Sequence, residues 1–224
     1  MKTRASTALL LLASFFSLAA FGLPDKVGDF ALLDSDGEFH QLSRYRHKDL
    51  LVVMAVDPSC ENLPKQLAIL NGIEKEWIAN GVSFVTVNAD GTENLAAIKT
   101  IKKGLGIQQP VMVDAGQIVS ATLKLGHAGE VVVLDPHRLT VLYRGPISEL
   151  GSVLIDATSE PITATRDLPM AGCDLSFSRR DLLSETAPDY AKDVAPIIVE
   201  QCASCHREGG IGPFSMDSHL MLKG

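Results

Sequence analysis

The chain has 224 residues, of which 46% are hydrophobic, 21% charged and 5% aromatic. This mixture is typical of a globular protein and excludes collagen, low-complexity disorder and a multi-span membrane protein, and the length predicts one or two domains. The net charge is -7 at pH 7, and an acidic chain without basic clusters is a poor candidate for binding nucleic acid, whose phosphates need a basic surface.

The first 22 residues have the features of a signal peptide. Lys2 and Arg4 make the start positive, and segment 8–21 is apolar apart from two serines, which is too short for a comfortable membrane span. Cleavage is expected after Gly22, with cleavage after Ala19 or an uncleaved anchor as alternatives. We therefore expect a periplasmic or otherwise exported protein without a stable membrane span after cleavage, in a compartment where thiols can oxidise.

Residues 30–146 alternate between apolar runs typical of strands and segments with helical spacing. The run Leu50–Val56 is continuously apolar, which is typical of a buried strand in a parallel sheet. The predicted elements are a hairpin at 30–39, strand 50–56, helix 63–78, strand 82–87, helix 93–103, strand 111–113, helix 116–125, strand 130–134 and strand 140–143. Alternation followed by a terminal hairpin predicts an α/β layer fold with a mixed sheet.

This order of elements resembles the thioredoxin-like superfamily, in particular its peroxiredoxin/redoxin branch, from about Val27 to Glu149. Local stretches carry the resemblance: GVSFVTVN at 81–88, PVMVD at 110–114 and EVVVLD at 130–135. It implies a thioredoxin-like domain over 23–150, a mixed sheet flanked by helices, with Cys60 as the nucleophilic or peroxidatic cysteine. Cys60 follows the first central strand and precedes a helix, whose N-terminus lowers the pKa of a thiol.

Two features near Cys60 differ from thioredoxins. Segment 60–63 (CENL) lacks the second thiol of a CxxC pair, and Ala128-Gly129 stands where thioredoxins carry a cis-proline. That proline shapes the substrate groove beside the active thiol. The alternatives for Cys60 are therefore an inert buried thiol or one half of a structural disulfide.

Beyond Pro146 the periodicity weakens, and residues 151–188 are interpreted as a connector with one or two short strands. A helix is expected next, because Asp193 can cap it and Pro196 is tolerated in a first turn. This helix leads into the second unit of the chain, residues 189–224.

The strongest chemical signal is the CxxCH motif at 202–206 (CASCH). Its two thiols share one face of a helical turn and can add to the two vinyl groups of haem, while His206 supplies the proximal iron ligand. A carbonyl near Pro213 is expected to accept a hydrogen bond from Nδ1 of His206 and fix the ligating tautomer. The alternatives are a zinc site, which needs a fourth ligand, and a plain redox or structural thiol pair.

The stretch 190–216 resembles the start of a c-type cytochrome domain of the kind found fused to bacterial periplasmic redoxins and copper monooxygenase-like proteins. The resemblance implies one covalent haem c, with Cys202 and Cys205 as the thioether attachments and His206 as the proximal ligand. The second unit is thus expected to be a short helical c-type haem segment.

The sixth iron ligand of this segment is left unassigned. A cytochrome c domain normally continues well beyond its CxxCH motif and supplies a distal Met late in the sequence. Met216, His219 and Met221 follow the motif closely. Residues 189–224 are therefore expected to be an incomplete cytochrome domain, or to take the sixth ligand from elsewhere.

The remaining cysteine, Cys173, lies in stretch 170–174 (MAGCD), and similar redoxin–cytochrome fusions carry a Gly-Cys in this region. If Cys202 and Cys205 hold haem, as the resemblance implies, Cys60 and Cys173 are left over. They are expected to pair, either structurally or as attacking and resolving thiols.

The expectation is an exported redox protein, a thiol oxidoreductase that couples thiol–disulfide or peroxide chemistry at Cys60 to electron transfer through haem c. Its partner would be an unknown redox protein or a small thiol or peroxide. One alternative is a non-catalytic electron-transfer or docking module whose thioredoxin-like domain is only a scaffold. Another is a copper metallochaperone, which is disfavoured because Cys60 has no second cysteine at CxxxC spacing.

Overall fold

The computed structural model describes residues 23–212 and 214–216, so the predicted signal peptide at 1–22 lies outside the described residues. The strands are β1 (Asp25–Lys26), β2 (Ala31–Leu33), β3 (Phe39–Gln41), β4 (Leu50–Val56), β5 (Val82–Asn88), β6 (Val111–Val113), β7 (Glu130–Asp135), β8 (Thr140–Pro146) and β9 (Arg166–Asp167). The α-helices are α1 (Leu63–Trp77), α2 (Leu95–Leu105), α3 (Ile118–Thr122), α4 (Leu150–Ser159), α5 (Ser178–Glu185) and α6 (Ala195–Ile197). Short 3-10 turns cover Leu42–His47, Ile78–Asn80 and Ile147–Glu149, and π-type turns flank α6 at Tyr190–Val194 and Ile198–Cys202.

The predicted mixed sheet is confirmed. Its strand order is β1-β8-β7-β4-β5-β6, with β9 paired to β8. The central strand β4 runs parallel to β5 and antiparallel to β7, while β2 and β3 form the predicted N-terminal hairpin as a separate two-stranded sheet. The carboxyl end of β4 therefore lies in the middle of the sheet edge that carries Cys60.

The two faces of β4 explain its unbroken apolar sequence. Every residue of β4 is buried, with the even-numbered residues in one hydrophobic cluster and residues 51, 53 and 55 in a second. Side chains alternate between the faces of a strand, so a strand covered on both sides must be apolar throughout. The first cluster includes α1, α4 and Cys60, and the second includes residues of α3 and the 3-10 turn Leu42–His47.

Helix α1 holds the Cys60 end of the sheet in place. Leu63, Leu67 and Leu70 repeat at helical spacing and are each at most 1% exposed. Fully burying a leucine side chain contributes about 1.5–3 kcal/mol, so the start of this helix is firmly packed. The sequence prediction placed its end one residue late, because the chain tightens at Ile78 into a 3-10 turn that Gly81 ends with a φ of 79°.

Two further helices differ from the predicted bounds. Helix α2 begins at Leu95 rather than at residue 93, because the side chain of Asn94 accepts hydrogen bonds from the next turn and caps it. Helix α3 begins at Ile118 rather than at residue 116, where carboxylate oxygens of Asp114 accept from the backbone of the first turn.

The interpretation of residues 151–188 as a connector was wrong at its start. Helix α4 covers Leu150–Ser159, and its buried Leu150, Val153 and Leu154 belong to the same cluster as α1. The predicted short strand is present as β9, and α5 follows it. No helix in the described part of the chain is long and apolar enough to cross a membrane.

Candidate functional site

Cys60 lies in a tight turn between β4 and α1. Its backbone N–H donates to Asp57 O at 3.1 Å, and its carbonyl accepts from Leu63 N at 3.1 Å. The Asp57 carboxylate accepts from both the backbone N–H and the hydroxyl of Ser59. These bonds fix the turn and direct Cys60 into the core cluster, where it is 4% exposed.

Cys60 and Cys173 form a disulfide, the pairing expected from the sequence. Their Cα atoms are 5.8 Å apart, although 113 positions separate them in the chain. Cys173, which follows β9 in the chain, therefore supplies the second thiol that a CxxC pair would place near Cys60. Cys173 is partly buried and packs against the same core cluster. The redox roles of the two cysteines stay predictions.

Cys173 lies in an extended segment, residues 168–177, here called the strap. The strap pairs with the loop that precedes β7: Ala128 N donates to Cys173 O at 2.9 Å, and Leu175 N donates to Gly126 O at 2.9 Å. The strap and this loop thus form a short antiparallel pairing directly beside Cys60. Nothing local in the sequence of the strap signals this pairing, because its partners lie about 50 residues earlier.

The two ends of the strap are anchored independently of the disulfide. At its start, Leu168 N donates to Arg144 O of β8 at 2.9 Å. At its end, buried Gln117 donates from Nε2 to Ser176 O at 2.6 Å. Gln117 also accepts from Arg179 N, in the first turn of α5, at 2.9 Å. Gln117 is 1% exposed and has a φ of 55°. It was missed in the sequence, because glutamine is usually exposed and its partners are non-local.

The loop at Ala128-Gly129, where thioredoxins carry a cis-proline, packs against α1 and the strap. The described residues contain no cis peptide bond. Gly129 donates to Ala55 O of β4 at 2.8 Å with a φ of 82°, a conformation that favours glycine. A Cβ here would lie 1.9 Å from Oε1 of Gln66. The loop is therefore closely packed between α1 and the strap.

His127 flanks this edge of the site. Its Nε2 lies 3.2 Å from a carboxylate oxygen of Asp174. Asp174 belongs to the strap and forms an antiparallel β-bridge with His127. The carboxylate of Glu130 accepts from the backbone of Gly126 at 2.6 Å and of His127 at 3.1 Å. These contacts fix the start of β7 and therefore the surface on which the strap lies.

The CxxCH motif follows the predicted helical approach. The helix is capped by Asp189 rather than by Asp193, since the Asp189 side chain accepts from Lys192 N at 2.9 Å. Asp193 in turn accepts from Asp189 N at 2.8 Å. This reciprocal pair satisfies two backbone donors and fixes the start of the helical approach at Tyr190.

The two motif thiols are free and accessible. Cys202 is partly exposed and Cys205 is exposed. Both Cys205 N and His206 N donate to Cys202 O, at 3.1 and 2.9 Å. This single turn keeps the two sulfurs and the imidazole on neighbouring positions. In the part of the chain that the structure describes, no group of three His, Cys, Asp or Glu side chains is arranged to hold a metal ion.

The imidazole of His206 is oriented by the loop that follows it. Its Nδ1 lies 3.1 Å from the carbonyl oxygen of Phe214, next to the predicted acceptor near Pro213, itself outside the described residues. Gly212 N donates to Cys205 O at 2.8 Å, and Met216 N donates to His206 O at 2.8 Å. An Nδ1–H donated to a carbonyl leaves Nε2 with its lone pair, which is the tautomer an iron ligand needs.

Gly210 and Gly212 allow the loop after the motif to approach Cys205 and His206 closely. A Cβ on Gly212 would lie 2.6 Å from His206 Nδ1, and one on Gly210 would lie 2.4 Å from Cys205 O. Large apolar side chains lie exposed around the motif: Ile197 (58%), Val199 (67%), Ile211 (91%) and Phe214 (53%). Two free thiols, an oriented imidazole and an uncovered apolar surface fit the attachment of a flat, apolar haem.

Comparison with known proteins decides the family of the thioredoxin-like domain. Residues 23–144 match the model of the AhpC/TSA family. The chain belongs to the AhpC/TSA family. The match covers β1 to β7, most of β8 and Cys60, and it ends before β9, the strap and the CxxCH motif. No curated protein matches the chain.

Solved structures confirm the thioredoxin-like fold of this AhpC/TSA domain. A hypothetical protein from Sinorhizobium meliloti 1021 is 19% identical, with a TM-score of 0.59 over 70% of this chain and 94% of that chain. A candidate thiol:disulfide interchange protein DsbE from Chlorobium tepidum is 17% identical, with a TM-score of 0.53 over 60% and 96%. The exposed lipoprotein thioredoxin of Streptococcus pneumoniae strain TIGR4 is 22% identical, with a TM-score of 0.51 over 58% and 99%.

Proposed function

We propose that the protein is an exported thiol–disulfide oxidoreductase that also carries electrons through one covalently bound haem c. The observation that carries the proposal is the Cys60–Cys173 disulfide, which lies at the carboxyl end of the central strand of an AhpC/TSA domain. The disulfide is the oxidised form of a dithiol pair, so it can accept two electrons from an external dithiol.

Thiol–disulfide exchange suits this site better than peroxide reduction. A peroxide must reach the thiolate that it oxidises, whereas Cys60 is 4% exposed. The relative from Chlorobium tepidum is described as a candidate disulfide interchange protein, which agrees with this choice.

The haem part of the proposal rests on the CxxCH segment. Cys202 and Cys205 would hold the haem as thioethers. His206 would ligate the iron through Nε2, because its Nδ1–H is donated to the carbonyl oxygen of Phe214. A bound haem c supplies one-electron transfer at a fixed reduction potential. The chain's own contribution is to fix the imidazole, against which the Phe214 ring packs with the ring centroids 4.8 Å apart.

Export is proposed from the disulfide and from the predicted signal peptide. Disulfides persist in oxidising compartments and are rare in the cytosol. The pneumococcal relative is described as an exposed lipoprotein, which is consistent with this location.

A second candidate function is a docking module whose thioredoxin-like domain is only a scaffold. The strap favours it, because its backbone already pairs with the loop at Ala128 and covers Cys60. In that case the disulfide is a structural staple, and only the haem segment takes part in electron transfer.

Two measurements test the proposal. Protein made in a host that matures c-type cytochromes should keep a haem-staining band on a denaturing gel and give a c-type pyridine haemochrome spectrum. The Cys202→Ala/Cys205→Ala variant should lose the band, and the matched Cys60→Ala/Cys173→Ala variant should keep it. Loss of haem in the native protein would refute the haem part.

The second measurement equilibrates the native protein with mixtures of a reduced and an oxidised dithiol, followed by alkylation and mass analysis. Reversible reduction of the Cys60–Cys173 bond at a defined potential supports the oxidoreductase. A bond that stays intact in a large excess of dithiol, until the protein unfolds, supports the docking module instead.

A further inference from the structure

The two sulfurs of the Cys60–Cys173 bond are unequally accessible. Cys60 is 4% exposed and packs in the core cluster with Leu63 and Leu67. Cys173 is partly exposed, its preceding glycine is exposed, and the side chain of Asp174 on its other side is 90% exposed. Solvent therefore reaches the bond from the Cys173 side.

This asymmetry matters because an attacking thiolate approaches a disulfide along the line of the S–S bond. Attack on Cys60 requires the incoming sulfur to come from the side opposite Cys173, where the core packs. Attack on Cys173 requires approach from the side opposite Cys60, and Cys173 is the partly exposed member of the pair. Access to each sulfur decides which one reacts.

We infer that an external thiol attacks Sγ of Cys173 and that Cys60 is the leaving group. The family resemblance names Cys60 as the nucleophilic or peroxidatic cysteine, whereas this assignment, which rests on the proposed function, gives the first reaction with an external thiol to Cys173. Cys173 becomes the entry sulfur of the site, and the strap becomes the element that presents it.

The step balances with a dithiol partner as the reductant. The first thiolate of the partner bonds to Cys173 while the bond to Cys60 breaks, and the electron pair leaves on the Cys60 sulfur. The second thiolate of the partner then attacks the partner's first sulfur, which is bonded to Cys173 in the mixed disulfide, and so releases Cys173. The partner loses two electrons and becomes a disulfide, and its two protons end on Cys60 and Cys173.

The contacts that hold the strap do not depend on the Cys60–Cys173 bond. The strap stays in place when the bond opens, because Ala128, Gly126 and Gln117 hold it through hydrogen bonds of 2.6–2.9 Å. Cys60 therefore stays covered while Cys173 carries the mixed disulfide.

The test maps the sulfur that reacts first. Oxidised native protein is mixed with limiting glutathione, quenched with acid within the first turnover, digested and analysed by mass. We expect the glutathione adduct on the Cys173 peptide to exceed that on the Cys60 peptide by at least about tenfold. The released Cys60 thiol should appear in the same fraction.

A matched pair of variants provides a second measurement. In Cys60→Ser only Cys173 remains at the site, and in Cys173→Ser only Cys60 remains. The rate of reaction with an aromatic disulfide that releases a coloured thiol should be at least about tenfold higher in Cys60→Ser. The double variant gives the background from any unloaded Cys202 and Cys205, and circular dichroism checks the fold of all three.

The outcomes separate the inference from the function it rests on. A dominant adduct on Cys60, or a faster Cys173→Ser variant, overturns the assignment of Cys173 while thiol exchange itself stands. No adduct on either cysteine of the folded protein refutes both the assignment and the proposed oxidoreductase.

Discussion

Removal of the Cys60–Cys173 bond should strongly destabilise the thioredoxin-like domain, to which it ties the strap. A crosslink between residues 113 positions apart restricts the unfolded chain, and the loop-closure relation gives about 5 kcal/mol for a loop of this length. Because strain and residual structure reduce this figure in practice, the expected loss for Cys173→Ala is about 3–5 kcal/mol. The melting temperature should fall by about 10 °C.

The assay is a thermodynamic cycle on urea unfolding, followed by far-UV circular dichroism. Cys60→Ala, Cys173→Ala and the double variant each remove the same bond. All three should therefore lose nearly the same unfolding free energy, and the coupling between the two sites should equal most of that loss. Cys60→Ala should lose somewhat more than Cys173→Ala, because the Cys60 sulfur is buried in the core cluster and its removal leaves a cavity.

Additive losses would refute this reasoning, as would a double variant within about 1 kcal/mol of the native protein. The native protein measured with and without a phosphine reductant provides the control, since reduction opens the bond without changing any side chain. Agreement between reduction and substitution would show that the crosslink itself, and not a cavity, stabilises the fold.

Three other predictions follow from single positions. Gly212→Ala should lower the haem bound per polypeptide by pyridine haemochrome, because its Cβ would lie 2.6 Å from Nδ1 of His206; unchanged loading would contradict the role of the loop. Gln117→Ala should lower the unfolding free energy in urea by about 2–3 kcal/mol, because buried hydrogen bonds lose their partner. The hydrogen bond from Lys124 lowers the pKa of Asp25 against partial burial, so this stabilisation is present above about pH 4 and is lost as the pH falls through the lowered pKa. Asp25→Asn should therefore flatten the loss of unfolding free energy in acid titrations.

The sheet could be predicted because its signals are local. The unbroken apolar run of β4, found over residues 50–56 as predicted, is a direct consequence of burial on both faces. Helix α4 was missed although Leu150, Val153 and Leu154 repeat at helical spacing. The weak helix formers between and after them, among them Gly151 and Thr158, hide the periodicity in the sequence.

The candidate site was predictable in its cysteines but not in its geometry. Cys60 and the CxxCH motif carry local signatures, namely the strand-to-helix junction and the fixed spacing of two thiols and a histidine. The strap carries none, because its structure depends on pairing with Ala128 and on the buried side chain of Gln117. Such non-local hydrogen bonds leave no periodicity for a sequence pattern to show.

The strap also constrains which partners can react. Leu63 is 0% exposed and stands where a CxxC pair would place its second thiol, so the protein depends on Cys173 to close the disulfide. The strap that brings Cys173 occupies the hydrogen-bonding groups of the loop at Ala128 and Gly126. A partner peptide therefore cannot pair with this loop while the strap is bound. The protein should react with a small thiol, or with a protein thiol that protrudes far enough to reach Cys173, and a thiol buried in a flat surface should react slowly.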